Sequence, residues 1–324
     1  DVSGDDMMKS FGFRAGEFGN WNNVNDRQTN LNMSFDAFKD LAKALSIEDA
    51  DIGLGGRLAI AYGARGKGGA VAHFEPGANV INLTKMRGAG SLAHEWGHAM
   101  DYYIARANGM DAGMATCPNA HDRRQGKEPF REVMQAIKYN GNEYSEFYKN
   151  AVTLDEHYSK TNQGYWRSDV ELFARAFAAY VHDKLPDGTS DYLVGHADMT
   201  SDIVKDGKMI PVSPKGEERE KINREFDKAF EQFREQQIFR MRQQEVVKSL
   251  DAEVDNLLEE YHKNVKEPES KEVKREKTPK PTNKKFYTKE ESEKMTEWLK
   301  EHISVVDVCQ SLGFSPVRVG QRYY

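Results

Sequence analysis

The sequence contains few cysteines and no long apolar run. Its 324 residues include 2 cysteines. Cys117 and Cys309 are far apart and fall in different predicted modules, so no disulfide framework is expected. No apolar stretch approaches the roughly 20 residues that cross a bilayer, and no signal peptide begins the chain. We therefore expect a cytoplasmic protein with no membrane partner.

The chain also lacks the excess positive charge of proteins that bind nucleic acid over their whole surface. Its net charge is -6, which argues against such binding, although local basic stretches remain candidates. The glycine-rich run at 63–69 lacks the Walker spacing and a following helix, so it predicts a hairpin connection and not a phosphate loop. Hydrophobic residues make up 38% of the chain, which is enough for the core of one sizeable domain.

The sequence does contain the pattern H-E-x-x-H, at His94, Glu95 and His98, in a segment that predicts a helix. On a helix the two histidines lie one turn apart on the same side, so their imidazole nitrogens can converge on one metal ion. Glu95 is rotated away from them but can reach a water molecule on that metal. This is the arrangement of a zinc hydrolase. The alternative is a helix whose two histidines only form hydrogen bonds in the core.

A tetrahedral site needs a third protein ligand, and Glu171 is our candidate. It begins a predicted helix, 168–181, on a face whose next members are the small residues Ala174 and Ala178. Small side chains let two helices approach closely, and a metal ligand would account for an acid at their contact. The other interpretation is an exposed acid that complements the helix dipole. Three competing ligands point elsewhere on the same turn or lie in polar stretches: Asp169, His157 and His121.

The pattern His94-Glu95-x-x-His98, followed by a helix of the form Glu171-x-x-x-Arg175-Ala-Phe, resembles the gluzincins, which are metallopeptidases with two histidines and one glutamate on zinc. Further stretches are similar to the zincin-like domain of large polyvalent proteins, which phages and conjugative elements carry. These stretches are 11–21, 63–69, 72–76, 80–85 and 88–94. The resemblance covers about residues 8 to 235.

This resemblance implies a zincin-like fold, with zinc on the two histidines and Glu171 and with Glu95 as the general base. Many gluzincins have an aspartate four residues after the ligand glutamate, where it orients a histidine. Arg175 stands there in this chain, and Asp101 is the candidate substitute. Gluzincins also use a tyrosine or histidine to stabilise the oxyanion. Our candidates are His157 and Tyr165, because their segment enters the Glu171 helix, although each also fits an ordinary surface or packing residue.

The predicted fold class is α+β, with a small antiparallel sheet and active-site helices. Three short strands, at 57–63, 70–75 and 79–84, predict a meander that leads into the His94 helix. The resemblance suggests that one of them pairs with extended substrate. Helices are predicted at 34–46 and 128–139. Irregular structure is predicted at 1–33, a polar loop at 108–127 and a loop-rich segment at 183–216, and no helix or strand is assigned at 140–167.

Four parts are predicted along the chain. They are a zincin-like metallopeptidase domain at 1–235, an extended helix at 236–262, a flexible linker at 263–285 and the start of an incomplete second module at 286–324. The linker is rich in charged residues and proline and has almost nothing apolar. The last part resembles the opening of a primase-like module found in proteins of mobile elements.

The predicted function is therefore zinc-dependent hydrolysis of peptide bonds, serving a mobile genetic element, with Zn²⁺ as cofactor and a protein or peptide as substrate. One alternative is a catalytically inactive, zinc-stabilised binding module. The other is a nucleic-acid-processing factor that contacts nucleic acid through its C-terminal part.

Overall fold

A computed structural model describes residues 1–19, 24–64, 72–83, 89–158, 164–186, 190–205 and 207–240, and the backbone of 318–319 and 322–323. The chain divides into two compact units, Asp1–Lys263 and Asn264–Tyr324. The first unit combines helices with small sheets, which confirms the predicted α+β class. Within the described ranges, no helix combines the length and apolar content needed to cross a bilayer.

The N-terminal part is more regular than predicted. It forms α1 (Gly4–Phe11), β1 (Ala15–Phe18) and α2 (Val24–Leu45), followed by a short 3-10 helix (Asp49–Gly53). Ser3 and Asp6 form a capping box at the start of α1, and Gly12 ends that helix with a φ of 64°, a left-handed conformation that glycine adopts readily. The prediction of irregular structure at 1–33 is therefore wrong, since Met7 and Phe11 form a helical stripe that the polar residues around them concealed.

The central sheet has the strand order β1-β2-β4-β3. The three predicted strands are confirmed as β2 (Ala59–Tyr62), β3 (Ala72–Glu75) and β4 (Val80–Leu83). However, β2 pairs in parallel with both β1 and β4, and only β3 pairs antiparallel, with β4. The predicted antiparallel meander and small antiparallel sheet are therefore wrong, and the sheet is mixed. Its inner strands, β2 and β4, are buried throughout, whereas β3 is half-buried at the edge, as expected where both faces of central strands are covered.

The aromatic core lies among four helices. These are α3 (Leu92–Ala107), α5 (Arg131–Lys138), α7 (Asp169–Lys184) and α9 (Gly216–Glu235). Each contributes side chains that are almost completely buried, and the largest of them are Trp96, Phe173, Phe177, Tyr180, Phe226 and Phe230. Aromatic rings bury large areas, so this cluster fixes how α3, α7 and α9 lie against one another.

Regions without a predicted helix or strand contain further elements. They are α4 (Ala120–Arg124), the short strands β5 (Tyr139–Asn140) and β6 (Glu143–Tyr144), α6 (Glu146–Tyr158), α8 (Asp191–Val194) and the hairpin of β7 (Thr200–Lys205) and β8 (Lys208–Pro211). No helix was predicted at 140–167, and the inward face of α6 is formed by Phe147, Ala151, Leu154 and Asp155.

After α9 the chain turns back onto the core. Residues 236–240 form turns and do not continue the helix. Phe239 is 3% exposed and packs against the rings of Trp96 and Tyr103. The predicted extended helix at 236–262 is therefore not formed over 236–240, because burial of Phe239 requires the chain to reverse there. The rest of that helix and the linker at 263–285 lie outside the described residues.

The second unit, Asn264–Tyr324, is described only at two short segments. They form an antiparallel pair, β9 (Arg318–Val319) and β10 (Arg322–Tyr323). The rest of the predicted module at 286–324 lies outside the described residues, so its resemblance to a primase-like module remains a prediction.

Candidate metal centre

The candidate site lies where α3 and α7 approach closely, at Gly97. A Cβ atom added to Gly97 would lie 2.9 Å from Cδ1 of Phe177 and 3.6 Å from the Cα of Ala174. Carbon atoms pack comfortably at about 3.5–4.0 Å, so only glycine fits without movement. The small-residue face predicted on α7 is therefore a helix contact, and it places Glu171 opposite the first turns of α3.

Three predicted ligands converge there. The Nε2 atoms of His94 and His98 are 3.1 Å apart. Oε2 of Glu171 lies 3.5 Å from Nε2 of His94, and its Oε1 lies 3.3 Å from Nε2 of His98. The three side chains are 21%, 11% and 11% exposed, so the cluster is largely sheltered but open to solvent on the His94 side. These residues form a group that could hold a metal ion.

The spacing of this cluster fits a tetrahedral metal site. Zinc binds histidine nitrogen and carboxylate oxygen at about 2.0–2.2 Å, and a tetrahedron of that size has edges of about 3.3–3.5 Å. The separations of 3.3 and 3.5 Å between Glu171 and the histidines fall in that range, and the 3.1 Å between the two histidines is slightly shorter. Two imidazoles and one carboxylate are also a common donor set for catalytic zinc.

A second group of potential ligands, Asp111, His121 and Asp122, already has another role. Nδ1 of His121 lies 2.7 Å from Oδ2 of Asp111. The carboxylate of Asp122 accepts backbone N–H bonds from Asp111, Ala112 and Asn119, and it closes the capping box at the start of α4. These contacts stabilise a loop. His121, a competing ligand in the sequence, is thus in a different part of the fold from the His94 cluster.

Charge within the three-residue cluster is unevenly distributed. Burial, aided by His98, lowers the pKa of His94 to about 3. Burial also opposes a charge on His98, but its hydrogen bond to Glu171 and the surrounding carboxylates outweigh it, so the pKa of His98 is raised. Burial would raise the pKa of Glu171, yet the hydrogen bond from His98 and the positive charges of its neighbours lower it to about 2. Glu171 is therefore ionised and His94 neutral, which are the states in which both bind metal.

Glu95 lies beside the cluster and does not belong to it. Its side chain is 6% exposed. Burial raises the pKa of Glu95 to about 7, against the lowering effects of His98 and of the nearby backbone N–H of Phe74. Phe74 belongs to β3, the edge strand. A carboxyl group with a pKa near neutrality is suited to accept and return a proton.

The structure brings Tyr165 to the cluster but not His157. Burial raises the pKa of Tyr165, and the neighbouring carboxylate of Glu171 raises it further. The residue as a whole is 58% exposed. His157 is exposed at the end of α6, and its ring packs against Tyr158. Among the described residues, no contact joins His157 to the His94 cluster.

Two further residues singled out in the sequence have structural roles. Asp101 is fully buried, and its carboxylate accepts hydrogen bonds from the backbone N–H and the hydroxyl of Thr116, at 2.9 and 2.6 Å. It therefore holds the loop after α3. Arg175 is 8% exposed and donates to the carbonyl oxygens of Glu171, Val212 and Trp166.

Sequence reasoning missed two contributors. One is the backbone N–H of Phe74, which depends on where β3 lies and has no signature in the side chain. The other is Asp155, which binds the chain just before Glu171. A signal for Asp155 did exist, because it follows Phe147, Ala151 and Leu154 on the inward face of α6. An acid on an otherwise apolar stripe needs a buried partner.

Comparison with known families places part of this site. Residues 157–237 match the family model described as Large polyvalent protein-associated domain 1. The matched region contains α7, the β7–β8 hairpin and α9, and so includes Glu171 but not His94 or His98. No curated protein and no solved structure gives a significant match to the chain. The match links this part of the chain to large polyvalent proteins.

Proposed function

We propose that this chain is a zinc-dependent peptidase in which His94, His98 and Glu171 hold the metal ion and Glu95 is the general base. The observation that carries the proposal is the triangle of ligand atoms, with separations of 3.1, 3.3 and 3.5 Å. The two histidines belong to α3 and the glutamate to α7, so the spacing of the ligand atoms depends on how these two helices pack against each other.

The chemistry of the donors also favours zinc. Imidazole nitrogen suits zinc, copper, iron and nickel, whereas magnesium and calcium prefer sites made of oxygen. Three protein ligands leave a fourth tetrahedral position for water or substrate, as in catalytic zinc sites. A bound zinc ion supplies a Lewis acid that polarises a carbonyl group and lowers the pKa of water to about 7.

The protein's own part in the reaction is proton transfer. Glu95 is next to His94 in sequence and beside the ligand cluster in space, with a side chain that is 6% exposed. Its carboxylate takes a proton from the attacking water and returns it to the nitrogen of the leaving amine. The backbone N–H of Phe74 is near this carboxylate and favours its ionised form.

Tyr165 is the second reacting group in this proposal. The carboxylate of Glu171 is near enough to influence the pKa of the Tyr165 hydroxyl, which supports a place beside the proposed metal. A phenol donates one hydrogen bond, and a bond to the substrate carbonyl oxygen stabilises the negative charge that develops there.

The position of β3 supports an extended peptide as the substrate. This strand is at the edge of the sheet, and its Phe74 contacts both Glu95, through the backbone, and the ring of Tyr102 on α3. An extended chain can add to such an edge by forming main-chain hydrogen bonds. The matched family domain at 157–237 supports a role in a protein of a phage or another mobile element.

The proposal is tested with two variants and matched controls. Glu95→Gln should keep stoichiometric zinc, measured by elemental mass spectrometry, and lose at least about 100-fold in cleavage rate because the base is absent. His94→Ala should lose the zinc itself. The controls are Glu132→Gln and His121→Ala, both at exposed positions, which should retain metal and activity.

Substrates are found by comparing the proteomes of cells that express the parent or the Glu95→Gln form. Cleavage products present with the parent and absent with the variant support the peptidase. Zinc binding without any product that depends on Glu95 would reject hydrolysis, and it would favour the zinc-stabilised binding module instead. Failure of the parent to retain zinc would reject the metal site.

A further inference from the structure

We infer that residues 192–196, which we call the α8 segment, hold the start of α3, and that His196 is a positioning residue for the first turn of that helix. This turn carries His94 and Glu95. The inference rests on the proposed function, in which these two residues are a metal ligand and the general base.

The N-terminus of α3 departs from the usual arrangement. Ser91 precedes the helix, at a position where a serine side chain ordinarily accepts a hydrogen bond from an N–H group of the first turn. Among the described residues, no N–H group of that turn bonds the Ser91 side chain. Its Oγ instead shares a hydrogen bond of 2.8 Å with Nδ1 of His196, which is 105 residues further along the chain. The hydroxyl therefore ties α3 to the α8 segment.

The backbone before Ser91 is held by the same segment. The N–H of Gly90 donates to the carbonyl oxygen of Tyr192 at 2.7 Å, and the carbonyl oxygen of Gly90 accepts the N–H of His196 at 3.0 Å. Gly90 has a φ of 89°, and a Cβ atom there would lie 3.1 and 3.2 Å from Cδ2 and Cγ of the His196 ring. Glycine combines this left-handed conformation with so close an approach. Both backbone groups of Gly90 are thus fixed under the imidazole.

The α8 segment can hold α3 because it is itself anchored in the core. Tyr192, Leu193 and Val194 are 4%, 0% and 4% exposed, and all three belong to the main hydrophobic cluster. The hydroxyl of Tyr192 also donates to Oδ1 of Asn30 on α2 at 3.4 Å. His196, in contrast, is exposed. Its side chain therefore serves the contact with α3 and adds little to the core.

The held residues connect directly to the reacting groups. The carbonyl oxygen of Ser91 accepts the backbone N–H of Glu95 at 3.1 Å, so Ser91 closes the first turn of α3. His94 lies within that turn. The first N–H groups of a helix have no partner inside the helix, and helix ends fray for this reason. A fixed Ser91 keeps the turn wound, and His94 faces His98 only while it is wound.

A double-mutant cycle separates this positioning role from a general contribution to stability. The four proteins are the parent, Ser91→Ala, His196→Ala and the double variant. Each is prepared without metal and titrated with Co²⁺, whose visible absorption reports both affinity and ligand geometry. Urea unfolding of the same metal-free proteins measures the stability of the fold.

The expected changes follow from the loss of one hydrogen bond at the helix start. Each single variant should weaken Co²⁺ binding by about fivefold, the factor that corresponds to one ordinary hydrogen bond, because the metal must then order a turn that is no longer held. In the Ser91→Ala background, His196→Ala should alter affinity by less than about twofold, since its partner is already gone. The urea midpoint should shift little, because the lost contact lies at an exposed helix end.

His196→Asn is the rescue variant, since an asparagine amide can take the place of the imidazole in a hydrogen bond to the Ser91 hydroxyl. It should bind Co²⁺ within about twofold of the parent. The matched control is His121→Ala, which removes another exposed histidine, one that pairs with Asp111. It should leave both the affinity and the absorption spectrum unchanged.

The outcomes distinguish the inference from the proposed function. If the loss caused by His196→Ala persists in full in the Ser91→Ala background, His196 acts through another contact and the positioning role is overturned. Parental Co²⁺ affinity in both single variants would overturn it while leaving the metal site intact, whether or not the urea midpoint falls. A parent protein that binds no Co²⁺ would overturn the ligand assignment and, with it, this inference.

Discussion

Replacement of Gly97 by alanine should weaken metal binding at a small cost to the stability of the fold. Gly97 lies between Glu95 and His98 on α3, at the contact with α7. The added Cβ atom would lie 2.9 Å from Cδ1 of Phe177. The Phe177 ring has little room to turn, because it packs against the rings of Trp96, Phe226 and Phe230 at 5.7, 5.8 and 6.0 Å. The helices must therefore move apart.

The size of the movement can be worked out from the contact. Reaching the lower end of the comfortable carbon–carbon range, about 3.5 Å, requires roughly 0.6 Å of separation. Overpacking of this kind costs about 1–3 kcal/mol, but alanine in a helix is favoured over glycine by about 1 kcal/mol. The net loss in the free energy of unfolding should therefore be about 0–2 kcal/mol.

Metal binding has no such compensation. Metal–ligand distances tolerate deviations of about 0.2 Å, and the shift of α7 carries Glu171 away from both histidines. We expect the zinc affinity of Gly97→Ala to fall by at least about 10-fold, which corresponds to about 1.4 kcal/mol. Urea unfolding of the metal-free protein measures the free energy of unfolding. Competition with a chromophoric chelator measures the zinc affinity.

The control for this experiment is Gly4→Ala. Gly4 also lies in a helix, and a Cβ atom there has no neighbour within 4 Å, so this variant should bind zinc as the parent does. Adding Phe177→Leu to Gly97→Ala removes the ring edge and should restore part of the affinity. Parental zinc affinity in Gly97→Ala would refute the reasoning, because α3 and α7 could then separate without disturbing the ligands.

Two further predictions concern the scaffold. Arg219 is 8% exposed and bonds Asp183 and Asp198, so Arg219→Gln should lower the free energy of unfolding by about 1–3 kcal/mol, as urea unfolding will measure. Burial opposes the lowered pKa of Asp198, but its bonds to Lys215 and Arg219 bring it to about 2 from 3.8. The stabilisation by ionised Asp198 is present above about pH 4 and is lost as the pH falls towards 2. Arg219→Gln should therefore make the free energy of unfolding depend less on pH in this range. An equally steep dependence in the variant would contradict the role of Arg219 in lowering the pKa of Asp198. Phe239→Ala should cost about 3–5 kcal/mol, whereas an effect below about 1 kcal/mol would contradict the close packing after α9.

The convergence of His94, His98 and Glu171 could be predicted from sequence because its signals are local. His94 and His98 are separated by one helical turn, so their convergence follows from helix geometry alone. Glu171 was identified as an acid on a face of small residues, and Ala174 on that face does contact α3 beside Gly97. Sequence reasoning needed only to assume that two helices meet. It did not need to know how the rest of the chain connects them.

The sheet could not be predicted in the same way. Its strands are four residues long, so alternation is too short to distinguish an edge from a centre. The hairpin connection predicted at 63–69 favoured antiparallel pairing of neighbours in sequence. Instead, β3 passes to the edge, and β4 returns beside β2 in parallel. Only this order places the N–H of Phe74 at Glu95.

The choice between His157 and Tyr165 was also beyond local reasoning. Both lie in the segment that leads to Glu171, and both types of side chain can stabilise an oxyanion. Their difference arises because α6 continues to Tyr158 and leaves His157 on its exposed end, whereas Asp155 draws the later turn back to the protein. Two hydrogen bonds across 11 and 12 residues therefore determine which side chain reaches the cluster.

Arg175 shows why a departure from the gluzincin pattern need not weaken the site. An aspartate at this position has no donor and is too short to reach the carbonyl oxygens of Trp166 and Val212, to which the arginine now donates. Carbonyl groups left without a hydrogen bond in a buried setting cost free energy. The positive charge of Arg175 also helps to keep Glu171 ionised, which an aspartate would oppose. Once the chain presents two carbonyl groups beside the ligand helix, a cation with a forked set of donors is the side chain that satisfies both the backbone and the ligand.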